Sequence, residues 1–383
     1  MAATDSHLRF TLALHRVGAA GENCADESSA GKSASNLCFS PYSVASALGL
    51  VTRAARGATA GELLSLLAGE AADTAALDAH AELLRAAAKL APETQREEPE
   101  LAVANTLWAW DALPLEDGFR AELSAWPNGA VASAPFVGDP EGARTRINAD
   151  VENTTHGLIP SLLPPGSIDE DTVAALVNAL YLKTSWLHRF PDGATGPAEF
   201  HAPAGTREVP TMRLDERLGY AHSAGWQIVQ LPAAGGVQAV VLLPDGELAE
   251  AEAALDEHAL AGLLEAPRSQ QVQLAMPKLA LDVRTPLKAA LGELGVRTMF
   301  TQRADLSGLS PDPRLEVSDV LHQAVLRLDE QGLEGAAATA VTMRLMSLMP
   351  GDPVVVSVDR PFLLLVRHAE TGAVYFFARV VQP

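Results

Sequence analysis

The chain has 383 residues, 48% hydrophobic and 20% charged, which excludes disordered, collagen-like and disulfide-scaffold classes and suffices to bury a large core. With 28 basic against 48 acidic residues the formal charge is −20, a field that repels nucleic acid, anionic membrane surfaces and heparin-like polymers, so none of these is expected as partner or cofactor. Cys24 and Cys38 fit no metal-ligand or redox spacing and read as free thiols.

The opening MAATDSHLRFTLALHRVG lacks a basic stretch followed by an apolar run and a small-residue cleavage site, and no later stretch supplies about 18 uninterrupted apolar residues. The expectation is a soluble chain, cytoplasmic or exported without a signal peptide. Leu8, Phe10, Leu12, Leu14 and Val17 give a loosely helical apolar face that Gly18 is expected to end, followed by a polar loop over 20–35. The loop's GKS triplet lacks the earlier glycine of a phosphate loop, because Asp26 stands there. Ser40 and Pro41 form a cap and first-turn pair for a buried helix through Leu50, and Thr59 with Glu62 has the spacing of a capping box. A third helix is predicted from Asp73 to about Leu90.

Strand patterns then dominate, at 101–110, 172–183, 228–232, 237–244, 272–281, 322–328, 362–366 and 374–381, with helical stretches at 115–126, 141–156, 248–264 and 286–294. About 150 residues per domain would give two or three domains, yet no repeat and no Pro/Gly/Ser-rich linker divides the chain. A single α+β domain over 1–383 is therefore expected. Hydrolase, metalloprotease, dinucleotide and complete phosphate-loop motifs are all missing, and His322 inside an apolar strand reads as a satisfied core group. No enzyme activity, metal or cofactor is expected.

Residues 331–353, QGLEGAAATAVTMRLMSLMPGDP, make a connection longer than compact domains usually carry without a function. Read with period two, Leu333, Gly335, Ala337, Thr339 and Val341 share one uncharged face, while Glu334, Ala336, Ala338, Ala340 and Thr342 share the other. Small uncharged residues could slide between two strands, and the apolar stretch beyond them resembles bait for a protease.

From these residues outward the chain resembles a serpin. The likeness is carried by NLCFSPYSVASALGL, LAVANTLWAW, INADVENTTHGLIPSLLPPGSI, VNALYLKTSWLHRF, LHQAVLRLDEQGLEGAAATAV and DRPFLLLVRHAETGAVYFFARVVQP, six segments in the family's order. It implies a serpin-like α+β fold with three β-sheets, eight or nine helices and an exposed reactive-centre loop at 331–353, acting as a monomer that traps a serine protease in a covalent 1:1 complex. Glu330, seventeenth counting back inclusively from Met346, selects Met346–Ser347 as the reactive bond. Leu345–Met346 and Leu348–Met349 stay open as alternatives. Met343, Arg344, Leu345 and Leu348 flank the bond as specificity positions, with Arg344 the candidate for a trypsin-like attacker. The hinge is Glu330, Gly332, Leu333, Glu334, Gly335, Ala336, Ala337, Ala338 and Thr339. Ser40, Ser43, Asn178 and His322 match the shutter beneath the opening strands; Trp186, Lys278 and Glu330 match the breach, with Lys278 and Glu330 paired. Cutting should let the hinge insert, burying Leu333 and Val341. Four positions depart from the family pattern, namely Leu333, Gly335, Asp150 and Ala378, and bulky Leu333 is expected to slow insertion. The implied alternative is a serpin whose loop is cut without trapping, used for binding or as a chaperone.

Overall fold

The computed structural model describes residues 2–24, 35–69, 73–93, 97–125, 129–170, 172, 174–312, 315–317, 320–334 and 352–383. In chain order the helices and strands are α1 (Ala2–Cys24), β1 (Leu37–Phe39), α2 (Pro41–Ala54), α3 (Gly57–Ala68), α4 (Thr74–Ala87), β2 (Glu100–Trp110), α5 (Asp117–Ala125), β3 (Ala130–Ala134), α6 (Pro140–Thr154) and β4 (Ala174–Ser185). They continue as β5 (Gly196–Ala202), β6 (Gly205–Ser223), β7 (Trp226–Pro232), β8 (Val237–Pro244), α7 (Leu248–Ala253), α8 (Glu257–Glu265), β9 (Arg268–Pro277), β10 (Leu279–Pro286), α9 (Leu287–Glu293), β11 (Val320–Leu328), β12 (Gly332–Leu333), β13 (Val354–Ser357), β14 (Phe362–His368) and β15 (Val374–Val380).

A six-stranded sheet runs in the order β10-β11-β12-β4-β2-β3 and is called sheet A below. The other hydrogen-bonded sheet runs β1-β15-β14-β8-β7-β6-β9-β13, with β5 on the first part of β6. Two of the three expected sheets are thus fused: β6 pairs with β5 over Gly205–Thr211, with β9 over Thr211–Tyr220 and with β7 over Gly219–Ser223. Strands β14 and β15 are buried almost throughout and lie between β1 and β8, so residues from early and late in the chain pair at one end of this sheet.

Helix α2 is capped by Ser40, whose Oγ accepts from Ser43 N at 3.1 Å, and begins with Pro41. All its residues but Arg53 are buried, because it is sandwiched between sheet A and the other helices. Helix α6 lays Ala143, Ile147 and Val151 on the opposite face of sheet A, against Trp108, Val177, Ala179 and Val325. Three helical expectations are corrected. Helix α1 passes through Gly18, where a Cβ would stand 2.9 Å from Leu37 Cδ2; the glycine permits close packing and does not stop the helix. Thr59 and Glu62 do not cap each other, since Thr59 Oγ1 accepts from Asp305 N and Glu62 Oε2 accepts from Arg297 and Thr298 N, tying α3 to the loop after α9. The stretch 248–264 breaks into α7 and α8, the second capped by Asp256 on Ala259 N. No helix among the described residues is long and apolar enough to cross a membrane.

Candidate functional site

Sheet A is closed at one end and parted in the middle. At the lower end β4 and β11 pair directly and in parallel, Val320 to Gln323 against Leu176 to Ala179. Above this, among the described residues, Leu180–Lys183 and Ala324–Arg327 have no pairing with each other, although each strand keeps its outer neighbour. At the upper end β12 fills the space, Leu333 lying opposite both Thr184 and Leu328.

The turn from β11 into β12 is tightly held. Asp329 N donates to Gly332 O, and Asp329 Oδ1 accepts from Gln331 N at 2.8 Å. Trp186 is 1% exposed; its Nε1 donates to Asp329 O at 2.8 Å and its backbone N to Gln331 O at 2.9 Å. Lys278 Nζ reaches Glu330 Oε2 at 2.7 Å, and Thr195 Oγ1 donates to the other carboxylate oxygen at the same distance. Burial alone would raise the Glu330 carboxyl, but these hydrogen bonds outweigh it and hold the group below its usual range. Trp186, Lys278 and Glu330 therefore meet around one turn. Gly332 allows the approach to β4, since a Cβ there would stand 2.0 Å from Thr184 O. Leu333 is 1% exposed, on the same sheet face as Thr184 and Leu328. Its burial is already realised in the uncut chain, so cutting cannot add it, contrary to the expectation from sequence. Glu334 N donates to Arg327 O at 3.0 Å, and its φ of 70° turns the chain out of the extended path.

At the closed end Ser40, Ser43, Asn178 and His322 form one buried network. Ser40 N donates to His322 Nε2 at 2.9 Å, so the ring's proton is on Nδ1, which donates to Asn178 Oδ1 at 3.0 Å. Ser43 Oγ donates to Asn178 Oδ1 at 2.6 Å, and Asn178 Nδ2 donates to Ser43 O and to Asn105 Oδ1. Burial pushes His322 down to about 4, keeping it neutral. Asn105, which in turn donates to Ser46, is a member that the sequence reading missed. The available signal was an asparagine inside the apolar run LAVANTLWAW, where an unpaired amide would be costly. Asp150 lies partly buried on α6 and Ala378 is fully buried in β15.

Gly335, Ala336, Ala337, Ala338, Thr339, Met343, Arg344, Leu345, Met346, Ser347 and Leu348 lie outside the described residues. Among the described residues no group of three or more His, Cys, Asp or Glu side chains could hold a metal ion. The network at His322 consists of buried donors and acceptors that satisfy one another beneath the direct ladder joining β4 to β11.

A family model described as "Serpin (serine protease inhibitor)" matches residues 21–383. The chain is 33% identical over 356 residues to alpha-1-antiproteinase of Ovis aries, covering 91% of this chain and 83% of that protein. It is 31% identical over 364 residues to the leukocyte elastase inhibitor of Bos taurus, covering 91% and 94%. Among solved structures, a thyroxine-binding globulin complex with thyroxine superposes with a TM-score of 0.84 at 24% identity over 99% of both chains. Uncleaved ovalbumin does so with a TM-score of 0.83 at 22% identity over all of both chains. These two likenesses carry the fold alone.

Proposed function

The chain belongs to the serpin family, and on that premise we propose that it inhibits serine proteases as a suicide substrate, with Met346–Ser347 as the bond attacked. The protease serine adds to the Met346 carbonyl, the bond to Ser347 N breaks with a proton passed to the leaving amine, and an ester joins the two proteins. The freed hinge then inserts between β4 and β11 and carries the protease with it. Distortion of the captured enzyme displaces its oxyanion donors, each worth about 10²–10³ in rate, so the ester is not hydrolysed. The unbranched thioether of Met346 after Leu345 suits the apolar pockets of chymotrypsin-, elastase- or subtilisin-like enzymes. In this reading 1–383 is one domain, 331–353 its reactive-centre loop, and the partner a serine protease held 1:1 by a monomer.

The observation that carries the reading is the register at the upper end of sheet A. Continuing antiparallel from Leu333 opposite Thr184 and Leu328, Ala337 would fall opposite Leu180 and Ala324, Thr339 opposite Asn178 and His322, and Val341 opposite Leu176 and Val320. Those strand positions are all buried and lie on one face, and every hinge residue that would meet them is uncharged. Both backbone edges of the inserted segment would be paired. Mixing the protein with a chymotrypsin-like protease should give a complex that survives denaturing electrophoresis, with a released peptide beginning at Ser347. Complete cutting with the protease left fully active would instead support the alternative, a binding or chaperone-like serpin.

A further inference from the structure

Two hinge residues, Gly332 and Leu333, are seated in sheet A as β12, too many for an empty slot and too few for a full strand, and the cause lies at Glu334. The upper part of the slot spans only Leu180–Lys183 and Ala324–Arg327, and below it β4 and β11 are joined directly. A strand continued from Leu333 has four positions before it meets that ladder, yet the extended conformation ends at Leu333. Glu334 has a φ of 70°, one of three non-glycine residues at positive φ among the described residues, and its N–H is spent on Arg327 O. An L-residue there is strained and persists only where surroundings hold it. What holds it is the packing just before it: Leu333 is pegged in the core and Gly332 is pressed onto Thr184 O, whereas burial raises the Glu334 carboxyl above its usual range despite the pull of Arg327 and Lys183, so the hold is steric and not a matter of charge.

We propose that Glu334 is a conformational stop: its left-handed backbone ends the seated hinge after Leu333, and its flip to the extended region is the step that commits the cut loop to insertion. This rests on the inhibitory reading above for its purpose, but not for its test. In the uncut chain the stop keeps a seated hinge from drawing further residues into the sheet. After cutting, the flip must precede every later pairing, so its rate enters the race between insertion and hydrolysis of the ester. Glu334 touches no reacting atom and is a positioning residue.

The backbone role separates from the charge by comparing Glu334→Ala, Glu334→Gly and Glu334→Val, all of which remove the carboxylate. Glycine tolerates positive φ, alanine pays the usual penalty, and a β-branched valine tolerates it least. The left-handed region costs an L-residue roughly 5- to 30-fold in equilibrium, so the glycine variant should insert several-fold to about 30-fold more slowly than the alanine variant, and valine faster than either. Insertion is followed by tryptophan fluorescence and by the rising thermal midpoint after the loop is cut with a metalloprotease, which forms no acyl ester. Trapping of a chymotrypsin-like protease is scored separately as molecules consumed per molecule trapped, which should be highest for glycine. The order glycine, alanine, valine from slow to fast supports the stop. Equal rates, a reversed order, or no change after cutting in any variant overturn it. If the order holds while no chain traps a protease, the stop stands and the inhibitory reading falls.

Discussion

Lowering the pH from 7 to 5 should destabilise this protein by an amount that can be assigned to three buried histidines. His7 and His80 are hydrogen-bonded at 3.1 Å between α1 and α4, and Val374 N donates to His7 Nε2 at 3.0 Å, which leaves the shared proton on His7 Nδ1. Burial, aided by its neighbour His80, lowers His7 to about 3; burial, aided by Arg9, lowers His80 to about 4; burial lowers His322 to about 4. In the unfolded chain each titrates near 6.5. Between these values the unfolded state binds protons that the native state refuses, so stability present above pH 6.5 is lost as the pH falls towards 4. Each histidine contributes a slope approaching 1.4 kcal/mol per pH unit, or about 2 kcal/mol between pH 7 and 5, giving about 5–6 kcal/mol for the three. That is a large part of a typical folding free energy. Carboxylates held low, such as Glu330, act in a lower window, below about pH 4.5. The assay is urea unfolding at pH 7, 6 and 5 for the parent and His322→Gln, whose amide can accept from Ser40 N and donate to Asn178 Oδ1 without titrating. The variant should lose about a third of the pH dependence. A stability change under about 1 kcal/mol in the parent, or an unchanged slope in the variant, refutes the reasoning.

Two further outcomes are expected. Met346→Arg should shift trapping towards trypsin-like proteases, whose acidic pocket rewards a cation, measured as a gain of tenfold or more in association rate; no gain places the reactive bond elsewhere. Leu328→Cys with Leu333→Cys should form a disulfide in the uncut chain on mild oxidation, because this is the closely spaced, non-hydrogen-bonded type of antiparallel pair, with Cα atoms near 4.5 Å. Two free thiols in the folded, oxidised protein would mean that the hinge does not sit in sheet A.

Much of this architecture was legible because its elements bury one face or all of it. LAVANTLWAW, VQAVVLLP and VYFFARVV are strands for the same reason that they are apolar, and Ser40–Pro41 opens a helix where its cap chemistry indicates. β6 was not legible: GTREVPTMRLDERLGYAHS is largely solvent-facing and charged, and its pairing with three different strands leaves no single alternating pattern. Thr59 and Glu62 had cap spacing but found stronger partners from a loop more than 200 residues away. In the candidate site, side-chain identity disclosed the members at Ser43, Asn178 and His322 through resemblance, and burial explains why each is paired. Sequence could not disclose β12. Whether Leu333 is seated depends on the width of the slot between β4 and β11 and on a backbone angle at Glu334, neither of which a residue type encodes.

The placement of β14 and β15 has a consequence for biosynthesis. β1 pairs only with β15 among the described strands, Tyr42 of α2 packs on Tyr375, and His7 of α1 accepts from Val374. A ribosome therefore makes these early segments long before the partners that complete them emerge. Until residues 362–380 arrive, β1 lacks its strand partner, β8 lacks a neighbour on one edge, and α1 and α2 lack the part of their packing that β15 supplies. The nascent chain must spend that interval with an unfinished core, so premature stop codons even late in the message should yield products that aggregate or are degraded, where the same loss at a peripheral strand would be tolerated.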